Sequence, residues 1–335
     1  MGVFHKYRFP IIDQGKIANP HVVIIGAGAS RAACSVDRNG KVVPLLRDIH
    51  HVLNITSQLE KYSLTGKEWN NFESLYSYIF DKKEYKKLKD LLERSIEDYF
   101  SSLQLPESVT IYDYLVLALT KKDIIISFNW DPFLLQAYRR NLKVGNLPQI
   151  VFLHGNVGLG VCYKCKNKGY INDTCPSCHQ KLERCPLLYP VCRKNYYEDP
   201  LIKNEWSQAK DWLSNAGGIT IFGYSAPETD REAYHLLKNS YQKSKREAIA
   251  PFTLIDLQEK QMKKWQDIFD ERMAVFCTRF EQTNLWKFPR ESLEAMWKAI
   301  LLMKPRLEKH KFKCFESLTD LQCFVKSFTE NDYLI

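Results

Sequence analysis

The chain has 335 residues, 45% of them hydrophobic and 13% aromatic, and carries a formal charge of +9. That length can bury about three quarters of the unfolded surface, and the composition excludes a mostly disordered chain. No apolar run approaches the ~18 residues of a membrane span, the first twenty residues lack a leader's apolar core, and the modest basic excess favours acidic partners without specifying them.

Residues 1–20 read as an N-terminal arm. Residues 21–25 are short, β-branched and followed at once by glycine, the pattern of a buried parallel strand. Residues 44–59 read as helical. Residues 69–103 form a helical insertion, with Phe72, Leu75, Tyr76 and Ile79 at i, i+3, i+4 and i+7, and Leu88, Leu92, Ile96 and Tyr99 continuing a stripe. These side chains are read as packing. Residues 111–119 make another helix. A second strand covers 123–128, a helix 132–139, and a third strand 149–153. After a cysteine-rich module come a helix at 197–215, a strand at 218–222 and a helix at 229–239, with Pro227 and Glu228 in its first turn. A strand at 252–255, a helix at 262–269 and a strand at 273–278 follow, then helices around 293–303 and 318–328. Strands alternating with helices predict right-handed βαβ units and a parallel, doubly wound α/β sheet.

In such sheets ligands bind at the carboxyl ends of the strands. The turn Gly26-Ala27-Gly28-Ala29-Ser30 follows the first strand and opens helical sequence, so its backbone suits a pyrophosphate. Arg31 stands where the dehydrogenase fingerprint has its third glycine, so that fingerprint is broken. Ser127, Asn129 and Asp131 follow the second strand, His154 the third, Gly223, Tyr224 and Ser225 the fourth, and Asp256 the fifth. All are candidates to face one crevice. The structural alternatives are a plain strand-to-helix turn at 26–30, a helix cap at Asp131 before Pro132, and a hydrogen-bonding core residue at His154. An imidazole there equally suits a general base.

Cys162-x-x-Cys165 and Cys175-x-x-Cys178 are two thiolate knuckles that make a closed tetrahedral zinc site, structural rather than catalytic. Disulfides or free thiols are the alternative. His179, Cys185 and Cys192 lie near enough to substitute. Ten cysteines used in this way suit a reducing compartment, and a cytoplasmic location is expected. The basic cluster of Lys304, Arg306, Lys309, Lys311 and Lys313 lacks interleaved stacking aromatics, so direct nucleic-acid binding is not expected.

Together these residues resemble the sirtuin superfamily over residues 22–278. Gly26–Ser30 stands at the family's phosphate loop, and Ser127-Phe128-Asn129-Trp130-Asp131 at its Gln-Asn-Ile-Asp element. His154-Gly155 stands at its catalytic His-Gly, Gly223-Tyr224-Ser225 at its Gly-Thr-Ser loop, and Asp256 near its Ile-Asn turn. The Phe-Gly-Glu segment with which deacylating sirtuins hold a peptide is missing from residues 186–196. The helix with Trp206 and Ala209, residues 222–230, and Asn71-Phe72-Glu73 look like the divergent sirtuin-like domains of bacterial anti-phage defence.

The resemblance implies a Rossmann-like sirtuin-like domain at 21–281, with a helical insertion at 55–120 and a zinc ribbon at 160–181; residues 282–335, outside the resemblance, read as a C-terminal helical extension. It implies NAD+ as substrate, structural zinc, and an NAD+ glycohydrolase that releases nicotinamide. In it, Asn129 would orient the ribose and a water, Asp131 would bind the carboxamide, and His154 would accept a proton. It further implies a homo-oligomer or a partner protein, such as a translocase-type ATPase or a sensor, and no membrane. A protein deacylase or ADP-ribosyltransferase, and a non-catalytic nucleotide-binding or assembly module, remain the alternatives.

Overall fold

The computed structural model describes residues 12–13, 16–64, 71–190, 198–227, 230–242, 250–265, 274–302 and 307–329. Six strands build the central sheet: β1 (His21–Ile25), β2 (Ile124–Ser127), β3 (Gln149–Phe152), β4 (Gly218–Phe222), β5 (Phe252–Ile255) and β6 (Ala274–Cys277). All pair in parallel, and their order is β3-β2-β1-β4-β5-β6. This is the doubly wound arrangement, with its switch point between β1 and β4. β1, β2 and β4 are buried along their whole length, as apolar runs covered on both faces must be.

The register places the chemistry. Ile25 lies opposite Ser127 and Phe222, Ser127 opposite Phe152, Phe222 opposite Ile255, and Ile255 opposite Cys277. The strands therefore end on one line, and the turns that follow them share one edge.

Helix α1 (Ala27–Ala33) leaves β1 directly. The insertion contains α2 (Phe72–Ile79) and α3 (Lys86–Ser101). Asn71 and Ser74 close a capping box at the start of α2, whose buried face is Phe72, Leu75, Tyr76 and Ile79. On α3 the buried stripe is Leu88, Leu92, Ile96 and Phe100. Phe100 replaces the expected Tyr99 because the i+4 step keeps the row on one face, and the Tyr99 hydroxyl donates instead to the Val42 carbonyl at 2.8 Å. Residues 44–59 are not one helix. They form a turn and two short helices, Ile49–Val52 and Thr56–Glu60. Asp48 accepts the Leu45 N–H at 2.6 Å and pairs with Arg31 at 2.6 Å, and Asn54 has φ +50°; both interrupt the helical repeat.

Further helices are α4 (Ile111–Ala118), α5 (Phe133–Asn141), α6 (Pro200–Ser214), α7 (Arg231–Gln242), α8 (Ser292–Leu302) and α9 (Leu318–Thr329). Asp199 caps α6 by accepting the Leu201 and Ile202 N–H groups, with Pro200 at the first helical position. Trp206 on α6 is buried and donates to the Leu153 carbonyl at 3.0 Å. The C-terminal segment docks on the sheet. The His21 ring bonds Ser292 Oγ and Thr220 Oγ1, each at 2.8 Å, and Trp297 donates to the Gly217 carbonyl at 2.8 Å.

A three-stranded antiparallel ribbon, Leu159–Cys162, Asn167–Tyr170 and Glu183–Arg184, stands after β3. No disulfide occurs among the described residues, and no helix among them is long and apolar enough to cross a membrane. Cys192, Glu228, Lys304, Arg306 and residues 191–196 lie outside the described residues; Lys309, Lys311 and Lys313 are exposed.

Candidate active site

The strand ends open into a crevice of about 690 Å³, a size ordinary for a ligand site. Its floor is main chain. Gly28 N–H donates to the Gly223 carbonyl at 3.0 Å, and Gly26 N–H to Phe222 at 3.1 Å. A Cβ on Gly26 would lie 2.6 Å from the Gly223 oxygen, and one on Gly223 would lie 2.2 Å from the Ala29 nitrogen. The turns after β1 and β4 are thus glycine because two backbones touch there, whatever ligand lies above.

Asn129, Asp131 and His154 all line this crevice. The Asn129 amide nitrogen donates to the Gly26 carbonyl and to Ser30 Oγ, both at 2.9 Å, and lies 3.1 Å from the Tyr112 hydroxyl. These contacts fix which end of the amide is nitrogen. They leave Oδ1 as an acceptor with no hydrogen bond among the described residues. Ser30 Oγ donates to Asp131 Oδ2 at 2.6 Å and lies 2.7 Å from the Tyr112 hydroxyl. Asp131 Oδ1 accepts the Phe133 N–H at 3.2 Å, so the expected helix cap is real and coexists with the polar cluster. Burial pushes the Asp131 carboxyl up to about 6, against the lowering effect of the Ser30 and Phe133 bonds. Burial, then the Asp131 charge, drives Tyr112 well above the ordinary phenol range, so it is an O–H donor at neutral pH.

His154 is 6% exposed. Its ring stands edge-on to Phe128 at 4.9 Å, and Phe128 stacks on Tyr224 at 4.0 Å. Nε2 lies 3.5 Å from Asp230 Oδ1, and the Tyr224 hydroxyl donates to Asp230 Oδ2 at 3.3 Å. The backbone around His154 is clamped. Its carbonyl accepts the Leu188 N–H at 2.9 Å, and Gly155 packs against the Pro186 carbonyl. Asn156 donates to the Asn129 and Asp131 carbonyls at 3.1 and 2.6 Å, tying the β2 and β3 turns together.

Of the residues expected from sequence, Gly26, Ala27, Gly28, Asn129, Asp131, His154, Gly223, Tyr224, Ser225 and Asp256 border the crevice. Ala29, Ser30 and Ser127 are fully buried behind its wall. Ser30 acts there as the hub between Asn129 and Asp131, and Ser127 Oγ accepts the Asn129 N–H at 3.1 Å. Tyr112, Asn156 and Asp230 were not expected. Tyr112 sits in an apolar helix that reads as packing, and nothing in the local sequence links Asp230 to a histidine so distant in the chain.

Cys162, Cys165, Cys175 and Cys178 place their four sulfurs within 4.8 Å of one another. Cys162 and Cys178 sulfurs are 3.6 Å apart, near the ~3.8 Å that ~2.3 Å zinc–thiolate bonds in a tetrahedron require. The Asn167 amide donates to Cys175 Sγ at 3.3 Å and holds that thiol below its ordinary range. The donor set therefore fits a closed, all-sulfur metal site. Lys168 anchors the ribbon to the sheet. It bonds both Glu205 oxygens at 2.8 and 3.0 Å, while Glu205 accepts the Phe152 N–H at 2.9 Å.

No protein-family model matches the chain, and no curated protein matches it. Among solved structures the chain is similar in fold to Sir2 enzymes. A Sir2 homologue in complex with NAD is 14% identical, with 89% of this chain and 100% of that chain covered and a TM-score of 0.41. A Sir2 homologue variant with ADP ribose is 14% identical over 85% and 94%, with a TM-score of 0.37. A Sir2 structure with a deacetylated peptide and 3′-O-acetyl ADP ribose is 14% identical over 84% and 92%, with a TM-score of 0.35.

Proposed function

We propose that this chain is an NAD+ glycohydrolase, with NAD+ as substrate and zinc as a structural ion on Cys162, Cys165, Cys175 and Cys178. The observation that carries the reading is the convergence of Asn129, Asp131 and His154 on one crevice at the switch point of a doubly wound sheet. The sirtuin resemblance of the motifs supplies the substrate class, and the missing Phe-Gly-Glu segment supplies the acceptor, which is water rather than an acyl-lysine. The same resemblance favours a role in anti-phage defence, where assembly or a partner protein would release the activity.

The bond between the nicotinamide nitrogen and ribose C1′ breaks, its electron pair passes to the pyridine ring, and positive charge develops at C1′. Water adds to C1′, and its proton goes to His154. Asn129 Oδ1 accepts a hydrogen bond from the ribose hydroxyl or the water and so orients it. Asp131 accepts from the carboxamide through a lone pair that Ser30 and Phe133 leave free. Asp230 favours the imidazolium form as it appears, as a carboxylate beside a general-base histidine does. The buried setting strengthens each of these interactions relative to water.

The test is nicotinamide release by the intact chain, measured over a protein concentration series with and without an acyl-lysine peptide. Release without peptide is expected. Asn129→Ala and His154→Ala are each expected to lower it by about 100-fold or more with unchanged circular dichroism. Release only in the presence of peptide would make the protein a deacylase instead. Full turnover in both variants would remove the assigned site.

A further inference from the structure

We propose that Tyr112 is a positioning residue for this site: its hydroxyl donates to Ser30 Oγ, commits the Ser30 proton to Asp131 and so keeps that carboxyl an acceptor. Its link to turnover rests on the hydrolase reading above, whereas its effect on Asp131 does not.

Tyr112 sits on α4, where Leu115, Val116, Leu117 and Ala118 are buried and apolar. Phenylalanine would fill the same volume. A fully buried phenol costs stability unless its polar atoms are used. Among the described residues the Tyr112 hydroxyl meets Ser30 Oγ at 2.7 Å and the Asn129 amide nitrogen at 3.1 Å. The amide nitrogen offers only protons. Ser30 Oγ is therefore the acceptor for Tyr112, and burial keeps the phenol protonated.

That fixes the proton directions around Ser30. Its oxygen accepts from Tyr112 and, at 2.9 Å, from Asn129, which fills both lone pairs. Its own proton goes to Asp131 Oδ2 at 2.6 Å. A neutral Asp131 donating along the same line would meet a Ser30 oxygen with no lone pair left. The row of bonds thus stabilises the carboxylate and penalises the acid, and each bond polarises the next.

Among the described residues no ion pair reaches Asp131, so hydrogen bonds hold its charge. Cys34, just after α1, is neutral, its thiol pushed up to about 11 by burial and then by Asp37 and Asp131. Arg31 and Arg47 border the crevice, with Arg31 paired to Asp48. His154 borders it too and faces Asp230. Burial already raises the Asp131 carboxyl to about 6 with the Ser30 bond in place. Without the Tyr112 hydroxyl it would rise further, and an acceptor for the carboxamide would be lost near neutral pH.

Titration of the Asp131 carboxyl by carbon NMR in the full chain, its signal assigned by its loss in Asp131→Asn, tests this without any bond being cleaved. Tyr112→Phe keeps the ring and is expected to make Asp131 about threefold or more weaker as an acid, roughly half a pH unit upward. Ser30→Ala removes the direct bond and is expected to weaken it about tenfold or more. Adding Tyr112→Phe to Ser30→Ala should change nothing further, because Tyr112 acts through Ser30. The acid limb of nicotinamide release should move up with the carboxyl in Tyr112→Phe, whereas a packing role would lower release equally at every pH. An unmoved Asp131 titration in Tyr112→Phe, or a further rise in the double variant, would overturn the assignment. The expected titrations with no nicotinamide release from the native chain would uphold Tyr112 and refute the hydrolase.

Discussion

Replacing Gly155 with alanine measures how firmly the exit from the ribbon holds the loop that carries His154. Gly155 has φ +73°, in the left-handed region. A Cβ there would stand 1.9 Å from the Pro186 oxygen and 3.0 Å from its carbonyl carbon. Gly145 has the same φ of +73°, but a Cβ there meets nothing within 4 Å. Gly145→Ala therefore reports backbone strain alone, about 1–2 kcal/mol. Gly155→Ala adds a collision with main chain that no side-chain rotation relieves, roughly 1–3 kcal/mol more. The assay is denaturant unfolding of the two variants beside the native chain, read at equal m-values, with nicotinamide release followed in parallel. Gly155→Ala is expected to lose about 2–5 kcal/mol in all and to release nicotinamide slowly, because Leu188 and Pro186 can no longer hold the His154 turn. Gly145→Ala should turn over normally. Equal destabilisation by the two substitutions would refute the reasoning.

The buried His21 imidazole is lowered to about 3 by burial and by the Lys122 charge. The unfolded chain takes up that proton near pH 6.5 while the native chain refuses it, so stability should fall as pH drops from about 6.5 towards 3, by ~1.4 kcal/mol per unit. The slope between pH 7 and 5 should be shallower in His21→Gln, and identical slopes would contradict the assignment. Freshly purified, reduced protein should contain one zinc per chain by elemental analysis. Its removal should expose the ribbon to protease and slow turnover through the Leu188–His154 bond, whereas metal-free protein with an intact ribbon would argue against the site. Lys168→Met should cost about 2 kcal/mol or more, because Glu205 is fully buried and its carboxylate would lose its cation. Lys168→Met combined with Glu205→Gln should recover part of that loss, and a double variant worse than the single would count against the pairing.

The six strands were legible because each is a short, β-branched, apolar run bounded by a turn, and a parallel sheet covered on both faces demands that composition. The crevice residues were legible in the same way, since strand ends in a doubly wound sheet define where ligands go. Residues 44–59 misled because Pro44, Leu45, Leu46, Ile49, Val52 and Leu53 have helical spacing. The tertiary pair between Asp48 and Arg31 overrides that local preference. Tyr112 and Asp230 were invisible for a related reason. Their roles exist only through Ser30, Asn129 and His154, contacts made across long stretches of chain. Phe100 displaced Tyr99 by a single residue, because Leu88, Leu92, Ile96 and Phe100 follow one another at i+4 and so share one buried face.

The floor beneath the candidate chemistry is built from peptide groups alone, at Gly26, Gly28 and Gly223. An alanine scan will therefore report the walls as losses of turnover and the floor as losses of folding. A screen that discards unstable variants will leave the middle of the site unmapped. The walls can vary in side chain, but only a backbone without side chains lets the two halves of the sheet meet at that point.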